Sequence, residues 1–197
     1  MDEDKRVAQF MFEIGTMRKL MRMHRQALLT DDMSDSIASH SYRVAFLAWH
    51  LAKKEGADLY KTVMMALLHD VAEVRSGDHN YIHKKYVKIF EDEITKDQLG
   101  TLPYPDLEQF VNEYEKRESK EAVLAKDADL VDQILLLREY EWQGNREATV
   151  WLHGKGKEVG NNHVARLKSE SAKKLAAAIM AEDPSSWWND TWTPANR

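Results

Sequence analysis

Residues 66–78 read ALLHDVAEVRSGD. The run begins as the inner face of a buried helix, then places His69 and Asp70 where leucine or valine would pack better. Glu73 follows one turn later, and Asp78 follows a glycine. So many ionisable groups are costly to bury unless something neutralises them, because unpaired buried charge is heavily penalised. A metal ion is one such neutraliser.

Outward from this stretch the dominant period is helical. Phe10, Ile14, Met17 and Met21 share one face, as do Val44, Leu47, Ala48 and Leu51, then Val63, Ala66, Leu67 and Val74, and then Leu107, Phe110, Val111 and Tyr114. Each set predicts one side of one helix. Two more helices are expected, from Val123 to about Tyr140 and from His163 to about Met180. No segment alternates as a half-buried strand would. Breakers gather at GADL, SGDHN, LGTLPYPD, HGKGKEVGNN and EDPSSWWND, which suit joints between helices. The expectation is an all-α bundle of about six main helices with shorter ones between.

Composition narrows the function. The 197 residues, 43% of them hydrophobic, suit a single domain over 1–197 with a sizeable core. No apolar run approaches the roughly 18 residues or more that a membrane span needs. The charged start MDEDKRVAQF has no apolar signal region, so a cytoplasmic protein with no membrane partner is expected. There is no cysteine, which removes disulfides, thiolate nucleophiles and Cys-ligated zinc and leaves His, Asp and Glu to hold any metal. A net charge of -5 would repel a phosphate backbone and argues against a nucleic-acid polymer as partner.

Other residues can complete a site around His69 and Asp70. His40, in SIASHSYRVAFLAWHL, lies one turn before Val44 and leaves the helix on the core-facing side. Asp129, in AKDADLVDQILLL, falls near the start of the buried face of Val131, Ile134 and Leu135, with Asp127 and Asp132 as rivals in the same segment. Asp127 would serve as a helix N-terminal acid favoured by the macrodipole. The separations allow each group to come from a different helix, as metal sites inside bundles require. His50, His153 and His163 are expected to be satisfied or surface residues, and the glycines of HGKGKEVG lack the ending of a phosphate loop.

The order His, His-Asp, distant Asp is similar to that of the HD-domain metal-dependent phosphohydrolases. The stretches LLHD..E...GD over 67–78, KYV over 85–87 and KDADLVDQILLLREYE over 126–141 resemble the YfbR-like 5′-deoxynucleotidases among them. The resemblance covers a core of about 18–151 and leaves a C-terminal helix and Trp-rich tail over 163–197. It implies a metal site between helices with His40, His69, Asp70 and Asp129 as ligands, Glu73 and Asp78 as catalytic residues, and Arg25 on the substrate phosphate. Two imidazoles and two carboxylates suit one divalent transition metal, Mn, Co, Fe, Ni or Zn, better than all-oxygen ions. Four protein ligands on a six-coordinate ion leave room for a phosphate oxygen and a water. Glu73 would hold or deprotonate that water, and Asp78 would assist and meet the sugar.

The activity so implied is hydrolysis of nucleoside 5′-monophosphates, the deoxy forms above all, to nucleoside and phosphate. Two alternatives stand beside it. One is another HD hydrolase activity, cyclic-nucleotide phosphodiesterase or nucleotide pyrophosphohydrolase. The other is a non-catalytic helical module with a structural metal. Arg18, Lys19, Arg22 and Arg25 also fit a solvated helix face. Six tryptophans, among them Trp187, Trp188 and Trp192 in the tail, suggest a homodimer or a tail packed on its own subunit.

Overall fold

The structure, a computed structural model, describes residues 2–154, 163–189, 191 and 195. Its helices are α1 (Glu3–Ile14), α2 (His24–Leu28), α3 (Ile37–Glu55), α4 (Leu59–Leu68), α5 (Glu73–Ser76), α6 (Glu91–Gln98), α7 (Pro105–Lys116), α8 (Lys120–Trp142), α9 (Arg146–His153), α10 (His163–Arg166) and α11 (Glu170–Ala181). The expected all-α architecture is what forms: among the described residues there is no strand, only an isolated bridge between Met21 and Ser36. No described helix is long and apolar enough to cross a membrane.

Helix α8 is the axis of the bundle. It packs against α3, α4, α7, α9, α10 and α11, as a helix apolar on nearly all sides must. Leu124, Val131, Ile134 and Leu137 are fully buried along it, and Ala48, Ala66, Ala128, Ala172 and Ala176 let the neighbouring backbones come close. Burial of each large aliphatic side chain contributes about 1.5–3 kcal/mol. That surplus lets α8 also carry three carboxylates turned inward, Asp127, Asp129 and Asp132, provided each has its own partner.

Asp127 finds its partner at the other end of the fold. Helix α8 begins at Lys120, so Asp127 is mid-helix and buried, not the N-terminal acid expected. Its carboxylate accepts from the backbone N–H groups of Lys168 (3.0 Å) and Ser169 (2.7 Å). Ser169 in turn caps α11 by accepting from the N–H of Ala172. This staple explains why the expected helix from His163 to Met180 is two helices, α10 and α11. Asp127→Ala would strand two N–H groups and cost about 1–3 kcal/mol, read as a lower urea midpoint; an unchanged midpoint would mean those groups are satisfied some other way.

Two other boundaries differ from expectation and both position the site. The face from Phe10 to Met21 is not one helix: α1 stops at Ile14, where Gly15 and Thr16 are poor helix formers. After a 3-10 turn, Leu20–Arg22 runs extended beside the start of α3, with Ile37 N–H donating to Leu20 O and Arg22 N–H to Asp35 O, both at 2.9 Å. Likewise α4 ends at Leu68, Leu67 points outward, and Val74 belongs to the separate α5. Consecutive residues on a regular helix do not face the same way. Leaving the helix at His69 allows both His69 and Asp70 to turn toward one point.

Trp187 and Trp188 lie on a short 3-10 turn with ring centroids 4.7 Å apart, Trp187 largely exposed and Trp188 partly so. Trp192 and residues 155–162 of the glycine-containing stretch lie outside the described residues.

Candidate metal centre

Three segments bring the ligand candidates together. Ser36 and Ser39 form a capping box that starts α3, and His40 sits in its first turn facing the core. His69 caps the C-terminus of α4, Asp70 follows it, and Asp129 comes from the middle of α8. The Nε2 atoms of His40 and His69 are 3.1 Å apart. Asp129 Oδ1 lies 3.3 Å from the first and 3.8 Å from the second. Asp70 Oδ2 lies 3.5 Å and 3.1 Å from the same two atoms. His40, His69 and Asp129 each present a donor atom within 4.8 Å of the others.

The tautomers suit a cation. His40 Nδ1 lies 2.6 Å from Asp132 Oδ2, and His69 Nδ1 lies 2.7 Å from the Ala66 carbonyl. Both partners only accept, so each Nδ1 carries a hydrogen and each Nε2 faces inward, where a cation could take the place of a proton. Two lone pairs and two carboxylates converging on one point repel unless positive charge lies between them. The pKa values tell the same story. Burial and Arg22 oppose a charged His40, yet hydrogen bonds to Asp129 and Asp132 push it up to about 9. Burial would raise Asp70, but His69, His40 and Arg22 hold it below the ordinary carboxylate range. Asp129 is held down against burial by Lys126, whose Nζ is 2.6 Å from Oδ2, and by the two histidines. The donor set therefore fits a divalent ion.

Asp132, a rival for the ligand role, stands behind His40 instead. It accepts from the Arg43 guanidinium on its other oxygen, and Arg43 Nη1 reaches Glu139 at 2.6 Å. Such outer partners orient a ligating imidazole and strengthen it as a donor.

Glu73 opens α5, so it lies on a different helix from the one that ends at His69, contrary to the expected continuous turn. Burial, then Asp70 and Asp78, push its carboxyl up to about 10, and its Oε2 has no partner among the described residues. A bound cation inverts this logic by favouring the carboxylate. Glu73 lines a cavity of about 180 Å³ with His69, Asp70, Lys84, Tyr114, Arg117 and Lys126.

Asp78 follows Gly77, whose φ of +78° a side chain would resist. It lines a second, more open cavity of about 700 Å³ with Met21, Met23, Arg25, Leu29 and Asp31. Its Oδ2 accepts from Met23 N–H. Asn80, also buried, donates to Met23 O (3.0 Å) and Gln26 Oε1 (2.9 Å) and accepts from the N–H groups of Ile82 and His83.

Of the basic cluster over 18–25, Arg22 is the one brought to the ligands. It is 7% exposed, its Nη1 is 4.0 Å from Asp70 Oδ2, and its Nη2 meets His24 Nε2 at 3.1 Å. Burial, then Arg22, push His24 down to about 4, so it accepts from Arg22 as a neutral ring. Arg22 Nε and Nη1 have no hydrogen-bond partner among the described residues. Arg25 borders the open cavity, with Nη1 against Met33 Sδ. Sequence reading missed Arg22, Arg43 and Asn80; only the proximity of Arg43 to His40 along α3 hinted at one of them. His153 pairs with Glu141 at 2.8 Å, and neither it, His50 nor His163 joins the cluster.

The family model described as HD domain matches residues 17–170. The chain is 33% identical over 126 residues, 57% of this chain and 66% of that protein, to 5′-deoxynucleotidase HDDC2 of Dictyostelium discoideum. It is 27% identical over 191 residues, 90% of this chain and 88% of that protein, to 5′-deoxynucleotidase HDDC2 of Xenopus laevis. Among solved structures it is similar to a conserved hypothetical protein from Pyrococcus furiosus, with a TM-score of 0.71 at 27% identity over 88% of this chain and 97% of that one.

Proposed function

Because the chain belongs to the HD domain family, we propose that it is a metal-dependent phosphohydrolase that releases phosphate from nucleoside 5′-monophosphates, the deoxy forms above all. The observation that carries this reading is the convergence of His40, His69, Asp70 and Asp129 beside the buried, partly unpaired guanidinium of Arg22. The relatives named 5′-deoxynucleotidase support the nucleotide part of it.

In this reading the four ligands hold one divalent transition ion, Mn, Co, Fe, Ni or Zn. When bound, such an ion supplies a lowered pKa for an adjacent water and positive charge against the phosphoryl oxygens. Glu73 orients the attacking water and takes its proton as the water oxygen bonds to phosphorus. Arg22 offers Nε and Nη1 to the phosphoryl oxygens, a planar pair suited to an oxyanion. The bond from phosphorus to the 5′-oxygen breaks as that oxygen takes up the proton that Glu73 removed from the water, with Asp78 at the border between phosphate and sugar. The cavity of about 180 Å³ at Glu73 is the smaller of the two cavities. The phosphate takes the smaller cavity, and the 700 Å³ cavity, with Met21, Met23 and Leu29 in its wall, suits the nucleoside. A homodimer belongs to the same reading, supported by the exposed aromatic stripe Tyr42, Phe46 and Trp49 on α3 and by Trp187.

A phosphate-release screen over mono-, di-, tri- and cyclic nucleotides with added Mn, Co, Zn or Mg tests the proposal. Release from 5′-monophosphates, strongest with a transition ion, is expected. Turnover confined to cyclic nucleotides or triphosphates would replace it with another hydrolase activity, and metal uptake without any turnover would leave a structural metal.

A further inference from the structure

The end of α7 carries two groups with no role in the chemistry above. Tyr114 is 2% exposed, and its hydroxyl has no hydrogen-bond partner among the described residues. A buried hydroxyl without a partner keeps an uncompensated desolvation cost, so it calls for an explanation. The tyrosine ring stands edge-on to His69, centroids 5.6 Å apart. Arg117 covers it, with Cζ 3.3 Å from the ring centroid. Arg117 holds the left-handed conformation that ends α7, at φ 57°. Its Nη2 is 3.6 Å from the Glu115 carboxylate, while Nη1 is buried and unpartnered among the described residues. Both residues line the cavity that also contains His69, Asp70 and Glu73. Two unmet donors thus border the same small space as the metal ligands.

We propose that Tyr114 Oη and Arg117 Nη1 are a donor pair that receives the anionic oxygens of a phosphate monoester, or of the inorganic phosphate it releases, in the cavity beside the metal ligands. The pair is separate from Arg22, which reaches the ligands from an extended segment far away in the chain. Lys126, another cation in the cavity wall, is already committed to Asp129 at 2.6 Å. A tyrosine hydroxyl keeps its proton well above neutral pH. It is therefore a donor at working pH, and a phosphate oxygen is the acceptor it lacks. Stacking against the ring fixes the guanidinium plane, so the two donors are held ready before ligand arrives. The inference rests on the phosphohydrolase reading only in taking phosphate as the ligand.

Tyr114→Phe and Arg117→Lys separate this role from a structural one. Both variants and the unaltered protein, loaded with manganese, are titrated with inorganic phosphate by calorimetry, and their metal content and thermal midpoints are measured. Loss of the Tyr114 hydroxyl is expected to weaken phosphate binding by about tenfold. The thermal midpoint should stay level or rise, because an orphaned polar group has been removed. Arg117→Lys should also weaken binding, since lysine keeps the charge but not the planar fork. If a buried water satisfies the hydroxyl and its role is structural, Tyr114→Phe will lower the midpoint and leave the phosphate constant unchanged. That result overturns the proposal, as does an unaltered protein that binds no phosphate. The titration needs no turnover: weakened binding in a protein that hydrolyses no nucleotide would sink the nucleotidase reading and keep this one.

Discussion

Replacing His69 or Asp70 by alanine is expected to remove bound metal and phosphatase activity together. Each variant deletes one of four donors, and the rest are spread over α3, the end of α4 and α8, with no further histidine, cysteine or acid grouped with them to replace it among the described residues. In the His69 variant the Asp70 and Asp129 carboxylates also lose the imidazole that helps hold both below their ordinary range. Metal that binds only the folded chain stabilises it by mass action. Added manganese should therefore raise the thermal midpoint of the unaltered protein and leave that of either variant where it was. Elemental analysis reads the same outcome directly. Full metal content in both variants would remove these residues from the ligand set, whatever happened to the rate.

Arg22→Ala is expected to lower kcat/KM by about a hundred- to a thousandfold, the usual cost of losing a preorganised donor to a developing oxyanion. Metal content should hold, because Arg22 supplies charge near Asp70 but no donor atom to the ion. Arg22→Lys should recover part of the loss, since lysine keeps the charge without the planar fork. Arg25→Ala is the companion measurement, because the resemblance to the YfbR-like 5′-deoxynucleotidases made Arg25 the expected phosphate contact. With Nη1 against Met33 and the open cavity at its side, it should cost less than about tenfold, within the range of a binding contact at the rim. A large loss at Arg25 and a small one at Arg22 would move the phosphate into the 700 Å³ cavity.

The contrast between those arginines shows what was legible and what was not. His40 could be read inward because the stripe of Val44, Ala48 and Leu51 fixes the face on which it leaves α3, and all three are fully buried. The apolar run of α8 showed that its carboxylates turn inward, but the choice of Asp129 over Asp127 and Asp132 came from the family resemblance. Arg22 could not be read. Its place depends on hydrogen bonds from Ile37 to Leu20 and from Arg22 to Asp35, contacts across the chain that leave no period in the sequence. The same holds at Asp127, whose partners are the backbone of Lys168 and Ser169. It also holds at His69, where the helix stops with neither glycine nor proline to signal it. Periodicity reports which side of a helix is apolar. It says little about where the helix ends when side-chain chemistry, rather than a breaker, ends it.

Asn80 has a consequence for how this protein can change. One buried amide joins the loop after Asp78 to Met23 and Gln26, and it also closes the turn through Ile82 and His83. The two walls of the larger cavity are thus tied into one unit, although more than fifty positions part them in the chain. New substrate preferences would arise most readily from paired substitutions in the two segments. Grafting either segment alone from a relative would carry over half of a lock whose other half was cut for a different key.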